Sequence, residues 1–256
     1  MDWTVALWRR RTRAAHLHRA PALAVLPMRP LRSTRVTRAC LAIACVALLP
    51  ATARANVSNS SEWRFNVSLD GKSIGYHRYA MRVRGDEREL RSEAHFNVKF
   101  LFINAYTYAH TATEHWQGDC LARLDASTND NGTKNHVTGT RNDAAFVVDT
   151  GAASAALPSC VQTFAYWNPE ILMATQLLNP QTGEYVPIRV LRMGPETVTV
   201  RGRLLSSERY RLVSEPTATI PVQIDLWYAS APAENRQWLA LESLAAGGRR
   251  LRYTLQ

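Results

Sequence analysis

The sequence has few of the features by which enzymes and membrane proteins are recognised. It holds no phosphate-binding glycine loop and no dinucleotide-binding fingerprint, so no cofactor is expected. No apolar run reaches the ~20 residues that a membrane-spanning helix needs, and no such helix is expected in the mature chain. Between residues 63 and 149 no segment shows the apolar period of a helix. These absences favour a chain built mainly of strands.

Acidic residues are nearly absent from the first 55 positions. That segment has ten arginines and one acid, Asp2, whereas residues 56–256 have 21 basic and 20 acidic residues. The formal net charge of +10 therefore belongs almost wholly to the N-terminal segment. A nucleic-acid-binding domain carries its positive charge on the folded part, so no nucleic-acid partner is expected.

The N-terminal segment has the pattern of a secretory signal peptide over residues 28–55. Arginines open it, Ala39–Leu49 is a short apolar stretch, and Ala53-Arg54-Ala55 is a small-x-small cleavage site. We expect cleavage after Ala55 and a product that is periplasmic or secreted. Residues 1–27 then form an extension upstream of the signal peptide; a genuine N-terminal arm is the alternative.

Cysteine is scarce. Cleavage would remove Cys40 and Cys45 and leave Cys120 and Cys160 in the exported chain. An even number in an oxidising compartment favours one disulfide. A redox-active pair is the alternative, but such pairs usually have Cys-x-x-Cys spacing, which is missing here. The sequence therefore predicts a structural Cys120–Cys160 bridge.

Alternating apolar and polar residues separated by turn residues predict strands throughout residues 56–256. The expected strands are Trp63–Leu69, Ser73–Arg84, Glu89–Phe102, Ala105–Trp116, Cys120–Ser127, His136–Arg141, Ala144–Asp149, Tyr185–Arg192, Thr197–Leu205, Arg209–Ser214, Thr219–Tyr228, Trp238–Leu244 and Arg249–Leu255. One short α-helix is predicted from Asn168-Pro169-Glu170, whose residue types suit a helix start, to the stop at Asn179-Pro180.

These elements predict an all-β fold for residues 56–256, which we expect to form a single domain. A dozen or so short strands favour one curved antiparallel sheet or an open β-barrel. The short α-helix is expected to pack against the sheet or to plug it.

One motif resembles that of aspartic proteases: Val147-Val148-Asp149-Thr150-Gly151-Ala152. In those enzymes two aspartates share a proton and activate water, because close carboxylates cannot both ionise. Asp149 is thus the candidate catalytic residue of a hydrolase, but no second Asp-Thr-Gly or Asp-Ser-Gly occurs. The simpler interpretation is a strand that ends in a turn.

Histidines offer a weak case for a metal site. His110, Glu114 and His115 lie close in sequence, but within a strand His115 points away from the other two. His77 and His95 could join from neighbouring strands, or His77 or His115 could pair with a carboxylate in a hydrolase. Half-buried strand histidines are the more ordinary interpretation, so no metal is expected.

Aromatic residues recur at even positions along consecutive predicted strands, namely Phe96, Phe100, Phe102, Tyr106 and Tyr108. Even spacing places side chains on one face of a sheet. That face is either an ordinary core or the lining of an apolar pocket whose hydroxyls orient a ligand. The candidate ligand-binding residues are Tyr106, Tyr108, Tyr166, Trp167, His77 and Trp227.

A series of motifs runs through the mature chain: Trp63–Val67, Leu69–His77, Gly118–Leu121, Phe164–Pro169, Leu177–Glu184, Asp225–Tyr228 and Trp238–Glu242. Together they resemble an uncharacterised secreted bacterial family, domain of unknown function 6134. The general layout is also similar to another family of periplasmic β-rich proteins of unknown function. The resemblance implies no activity and no catalytic residue.

Three functions remain for a secreted β-rich domain without a recognised catalytic set. The favoured one is non-enzymatic binding of an apolar or lipid-like molecule in the concavity of the sheet. A hydrolase that uses Asp149 is the enzymatic alternative. The third is a structural or assembly partner of another protein in the cell envelope.

Overall fold

A computed structural model describes residues 59–100, 103–215, 222–231 and 236–256. The expected signal peptide, its cleavage site and the extension before it lie outside these residues. The described chain forms one 14-stranded antiparallel sheet in the order β8-β7-β6-β5-β4-β3-β2-β1-β14-β13-β12-β11-β10-β9. The strands are β1 Asn59–Leu69, β2 Lys72–Arg84, β3 Glu87–Phe100, β4 Ile103–Gln117, β5 Cys120–Asp130, β6 Thr133–Arg141, β7 Phe146–Asp149, β8 Ser154–Leu157, β9 Gln176–Leu178, β10 Tyr185–Val200, β11 Arg203–Ser214, β12 Gln223–Ala229, β13 Trp238–Ala245 and β14 Arg249–Leu255.

The sheet is curved but not closed, because β8 and β9 are its two edges. The all-β prediction of one curved antiparallel sheet is therefore confirmed. Within the described ranges, no helix is long and apolar enough to cross a membrane.

Two-residue turns set the register of three hairpins. Asp70-Gly71, Asn131-Gly132 and Arg201-Gly202 all have positive φ at both positions. This is the type I′ geometry, whose twist matches that of the strands it joins. Asp-Gly and Asn-Gly are sequences typical of this turn type, whereas the Arg-Gly pair at Arg201-Gly202 is not.

The predicted boundaries are wrong for two strands, Tyr185–Arg192 and Thr197–Leu205. A single strand, β10, runs from Tyr185 to Val200, and the chain reverses at Arg201-Gly202. A register shift lies between Arg192 and Gly194, and Gly194 and Pro195 pair with Arg209 and Glu208 of β11. A bulge accommodates an extra residue without ending the strand, so the chain continues through the gap that we predicted between two strands.

The predicted α-helix is also wrong in type and length. Asn168 does cap a helix, since its side chain accepts a hydrogen bond from Glu170 N, and Pro169 opens it. The element is a five-residue 3-10 helix, Pro169–Met173, which ends where Ala174 becomes extended. Leu177 and Leu178, which we placed in the helix, are fully buried in strand β9.

Residues 158–184, hereafter the strap, connect β8 to β10 and pack on the face of the sheet that carries the core. The predicted Cys120–Cys160 disulfide is present and ties the start of the strap to β5, with Cα atoms 4.8 Å apart. Next to it, Leu121 N donates to Val161 O at 2.9 Å. Val161, Ala165, Ile171, Leu177 and Leu178 of the strap are all buried. The strap, rather than an α-helix, fills the concave side.

Candidate ligand-binding site on the concave face

Strand pairing places two histidines in one row of the concave face. His77 on β2 pairs with Ala94 on β3, and Ala94 pairs with His110 on β4. Directly paired residues of antiparallel strands point to the same side of a sheet. Because Ala94 is small, only a methyl group stands between the two imidazole rings in this row.

His77 has one satisfied and one unsatisfied ring nitrogen. Its Nδ1 lies 3.1 Å from the Tyr79 hydroxyl, and the two rings stack with centroids 4.1 Å apart. Its Nε2 is buried and has no hydrogen-bond partner among the described residues. Burial, and to a smaller extent the proximity of His110, lowers the pKa of His77 well below its ordinary value. The ring is therefore neutral at pH 7.

His110 is also neutral at pH 7. Its Nδ1 lies 2.9 Å from the Thr128 hydroxyl. Burial lowers the pKa of His110 to about 4, because the charged imidazolium loses its hydration. The two histidines thus act as neutral hydrogen-bonding groups.

Tyrosines continue the face along β4. Tyr108 stacks on Phe96 with ring centroids 5.0 Å apart. The Tyr106 hydroxyl is buried beside the Asp130 carboxyl. Burial, and then the hydrogen bond and the charge of Asp130, raise the pKa of Tyr106; burial raises that of Asp130. This end of the face therefore holds a buried tyrosine–carboxyl pair.

The strap supplies the two remaining aromatic candidates on this face. Tyr166 packs on Trp238 with ring centroids 5.4 Å apart. Trp167 meets Trp116 edge to face at 5.5 Å, and the Arg88 guanidinium lies 5.0 Å from its ring. The indole nitrogen of Trp167 is buried and has no partner among the described residues.

Glu114 belongs to this face and was considered in the sequence only as a metal ligand. Its carboxylate accepts hydrogen bonds from Trp116 Nε1 at 3.0 Å and from the Thr163 hydroxyl at 3.2 Å. Burial raises the pKa of Glu114 to about 7, although both hydrogen bonds lower it. No sequence signal indicated the contact with Thr163, which lies 49 residues further along the chain.

Trp227 is not brought together with the other candidates. It lies on the opposite face of the sheet, in a pair with Arg209. The guanidiniums of Arg209 and Arg252 lie 5.1 and 5.5 Å from its ring, and its indole nitrogen donates to Glu196. Trp227 therefore packs within a layer of charged side chains on the outer face of the sheet.

The structure places the catalytic candidates in ordinary surroundings. Asp149 is exposed at the end of β7, where its carboxylate accepts a hydrogen bond from Gly151 N at 2.6 Å, as in a turn. His115 is exposed, on the other face of β4 from His110. Within the described ranges, no three His, Cys, Asp or Glu residues are grouped so as to hold a metal ion.

Residues Gly71–Gly75 have the Gly-x-Ser-x-Gly spelling of a hydrolase nucleophile. That nucleophile needs a sharp turn from a strand into a helix. Here the segment is a β-hairpin, and the Ser73 hydroxyl donates to Asn66 Oδ1 at 2.7 Å. The spelling therefore arises from the hairpin turn and gives Ser73 no nucleophile geometry.

Residues 65–256 match the family described as Domain of unknown function (DUF6134). The chain belongs to this family. Two of the motifs that carried the resemblance, Phe164–Pro169 and Leu177–Glu184, lie in the strap. A third, Gly118–Leu121, surrounds the cysteine that anchors it.

The fold is similar to that of a solved protein titled "Crystal Structure of Beta-barrel-like Protein of Domain of Unknown Function DUF1849 from Brucella abortus". The two chains are 12% identical, the TM-score is 0.57, and the match covers 76% of this chain and 94% of that one. No curated protein matches the sequence. The comparison supports the barrel-like fold alone.

Proposed function

We propose that the chain is a non-enzymatic binding protein that holds an apolar or lipid-like molecule against its concave face. The observation that carries the proposal is the buried atom His77 Nε2, which has no partner among the described residues. Buried polar atoms are nearly always hydrogen-bonded, and leaving one unpaired costs about 1–3 kcal/mol. A polar group of a bound molecule would remove that cost.

The aromatic surroundings determine what kind of molecule fits. His77 stacks on Tyr79 and lies 5.7 Å from the Tyr253 ring, and Phe65 and Phe96 pack on Tyr253 in turn. A site of this composition, with few polar groups, favours a mostly apolar ligand. Because His77 Nε2 is closed to solvent, binding requires the strap or the rim of the sheet to move outward.

Export to the periplasm is part of the same proposal. It is supported by the signal-peptide pattern of residues 28–55. The Cys120–Cys160 disulfide also fits an oxidising compartment. A carrier of apolar molecules would serve there, between membranes, where such molecules are poorly soluble.

Titration with N-phenyl-1-naphthylamine, a neutral apolar dye whose fluorescence rises in apolar surroundings, tests the proposal. We expect saturable binding of one dye per chain, reversed by extractable lipids from the same cells. A signal that rises without saturation, or that equals the signal of the unfolded chain, would contradict a defined site.

A protein partner is the second candidate function. Strand β9 pairs with β10 only at Tyr185–Pro187, and Leu191 and Met193 further along β10 are 42% and 47% exposed. A free strand edge with exposed apolar side chains can pair with another chain. Crosslinking in envelope extracts tests this: a discrete product that disappears in a Leu191→Asp, Met193→Asp double variant would favour a partner.

A further inference from the structure

A cleft of about 670 Å³ opens beside strands β10–β12 and was not among the sites expected from the sequence. Its lining residues are Arg192, Glu208, Tyr210, Ala229, Ser230, Ala231 and Arg236. Two guanidiniums and one carboxylate thus surround a tyrosine ring, which makes the cleft both cationic and aromatic.

The cleft lies on the face of the sheet that carries the core. Tyr210 pairs with Leu226 and Glu208 pairs with Tyr228 across β11 and β12. Leu226 and Tyr228 are both fully buried. The cleft is therefore an opening on the concave side, not a groove on the outer surface.

Aromatic side chains connect the cleft with the candidate site. Tyr210 meets Tyr228 edge to face at 6.1 Å, and the Tyr228 hydroxyl donates to the strap at Tyr166 O, 2.8 Å away. Beyond Tyr166, the ring contacts run from Trp238 to Tyr79 at 5.3 Å and from Tyr79 to His77 at 4.1 Å. These contacts form a continuous aromatic series from the cleft to His77.

The positively charged side chains lie in the cleft, at the Tyr210 end of this series of aromatic residues. The Arg236 guanidinium lies 6.0 Å from the centroid of the Tyr210 ring and takes part in no ion pair with a described residue. Arg192 is paired with Glu208, with its Nε 2.8 Å from Oε1. At the other end, burial raises the pKa of Tyr79 well above its ordinary value.

We propose that the ligand is an amphiphile whose anionic head group, a carboxylate or a phosphate, binds at Arg236 and Arg192 while its apolar chain lies along the aromatic residues. This inference rests on the proposed function. The interior favours neutral polar groups, because an anion there would face Glu114 and Asp130 while the nearby Arg88 is already paired with Asp119. At the cleft, guanidiniums bind carboxylate and phosphate with strong charge-assisted hydrogen bonds.

Calorimetric titration of the full-length protein with dodecanol, dodecanoate and dodecyl phosphate, below their micelle concentrations, tests the head group with one constant chain. We expect one or both anionic ligands to bind about tenfold more tightly than dodecanol, as a charged hydrogen bond permits. The tighter anion identifies the head-group class.

Arg236→Gln should remove the preference, and Arg236→Lys should restore part of it, since lysine retains the charge. The matched control is Arg78→Gln, whose side chain pairs with Glu62 at an exposed position of β1–β2 and whose loss should leave all three affinities unchanged. Thermal unfolding verifies that each variant is folded.

Equal affinity for dodecanol and the anions, or an unchanged preference in Arg236→Gln, would overturn the anionic head group while leaving the carrier intact. Failure of all three ligands to bind would overturn the carrier as well. The two failures are therefore distinguishable.

Discussion

The carboxylate of Glu114 on β4 accepts a hydrogen bond from the hydroxyl of Thr163 in the strap at 3.2 Å, and both residues are buried. A titratable group of the sheet thus holds the segment that covers the concave face. Because burial raises the pKa of Glu114 to about 7, the group changes charge near neutral pH.

Replacing Glu114 with glutamine should therefore alter how stability depends on pH. Folded Glu114 keeps its proton up to about pH 7, whereas the unfolded chain releases it near the ordinary value of 4.5. The folded state thus binds more protons between these values, so the wild type loses stability as the pH rises through them. Glutamine does not titrate and avoids this loss.

Urea unfolding of both proteins at pH 4 and pH 8 measures the effect. Relative to Glu114→Gln, the wild type should become less stable by up to about 3 kcal/mol at the higher pH. His77 and His110 are present in both proteins, so their contributions largely cancel in the difference. A difference that is independent of pH would show that Glu114 is not buried as described.

Loss of the disulfide should destabilise the fold without abolishing it. The Cys120–Cys160 bridge closes a loop with a sequence separation of 40 residues. In the chain-entropy model such a loop contributes about 4 kcal/mol. The Cys120→Ser, Cys160→Ser double variant should therefore unfold at lower urea concentration, and reductant should affect only the wild type. Equal stability of the oxidised and reduced wild type would contradict this role.

Gly75 should be the least replaceable glycine of the first hairpin. Its φ is +154°, and a Cβ there would lie 1.9 Å from the carbonyl oxygen of His95. Gly75→Ala should cost roughly 3 kcal/mol or more, because backbone atoms must shift. Gly85, at φ +59° with no heavy atom within 4 Å of a built Cβ, is the control, and its alanine variant should lose about 1–2 kcal/mol. Similar losses in denaturant unfolding would refute the close approach.

Much of the fold follows from local signals. Asp70-Gly71 and Asn131-Gly132 indicated their hairpins because both dipeptides suit a turn with two positive φ values. Arg201-Gly202 forms the same turn without that signal, and Gly194-Pro195 has the residues of a turn yet lies inside a strand. Pairing between β10 and β11 determines the backbone conformation at both positions. No local sequence pattern predicts that pairing.

The candidate site could be predicted only in part. Even spacing identified Tyr106 and Tyr108, because alternation along one strand follows from strand geometry. The strap contacts of Glu114 and the cleft around Arg236 depend on which distant segments meet. Trp227 shows the converse: it was a candidate for the site, but it alternates with the buried Leu226 and Tyr228 and therefore lies on the outer face, paired with Arg209.

The two faces give a direct comparison of binding residues. His77→Phe removes a buried ring nitrogen without a described partner and should weaken binding of N-phenyl-1-naphthylamine, which has an amine, about fivefold. Trp227→Phe, on the outer face, should leave binding unchanged. Fluorescence titration of both variants measures this. Greater loss in the Trp227 variant would move the site to the other face.

Native mass spectrometry of the protein produced from the full sequence and purified from periplasm, followed by organic extraction, tests the central claim most directly. The account predicts a chain that begins at Asn56, lacks two hydrogens because of the disulfide, and carries a reproducible added mass that extracts as an amphiphilic lipid. A periplasmic chain with the same disulfide and no added mass would contradict the carrier.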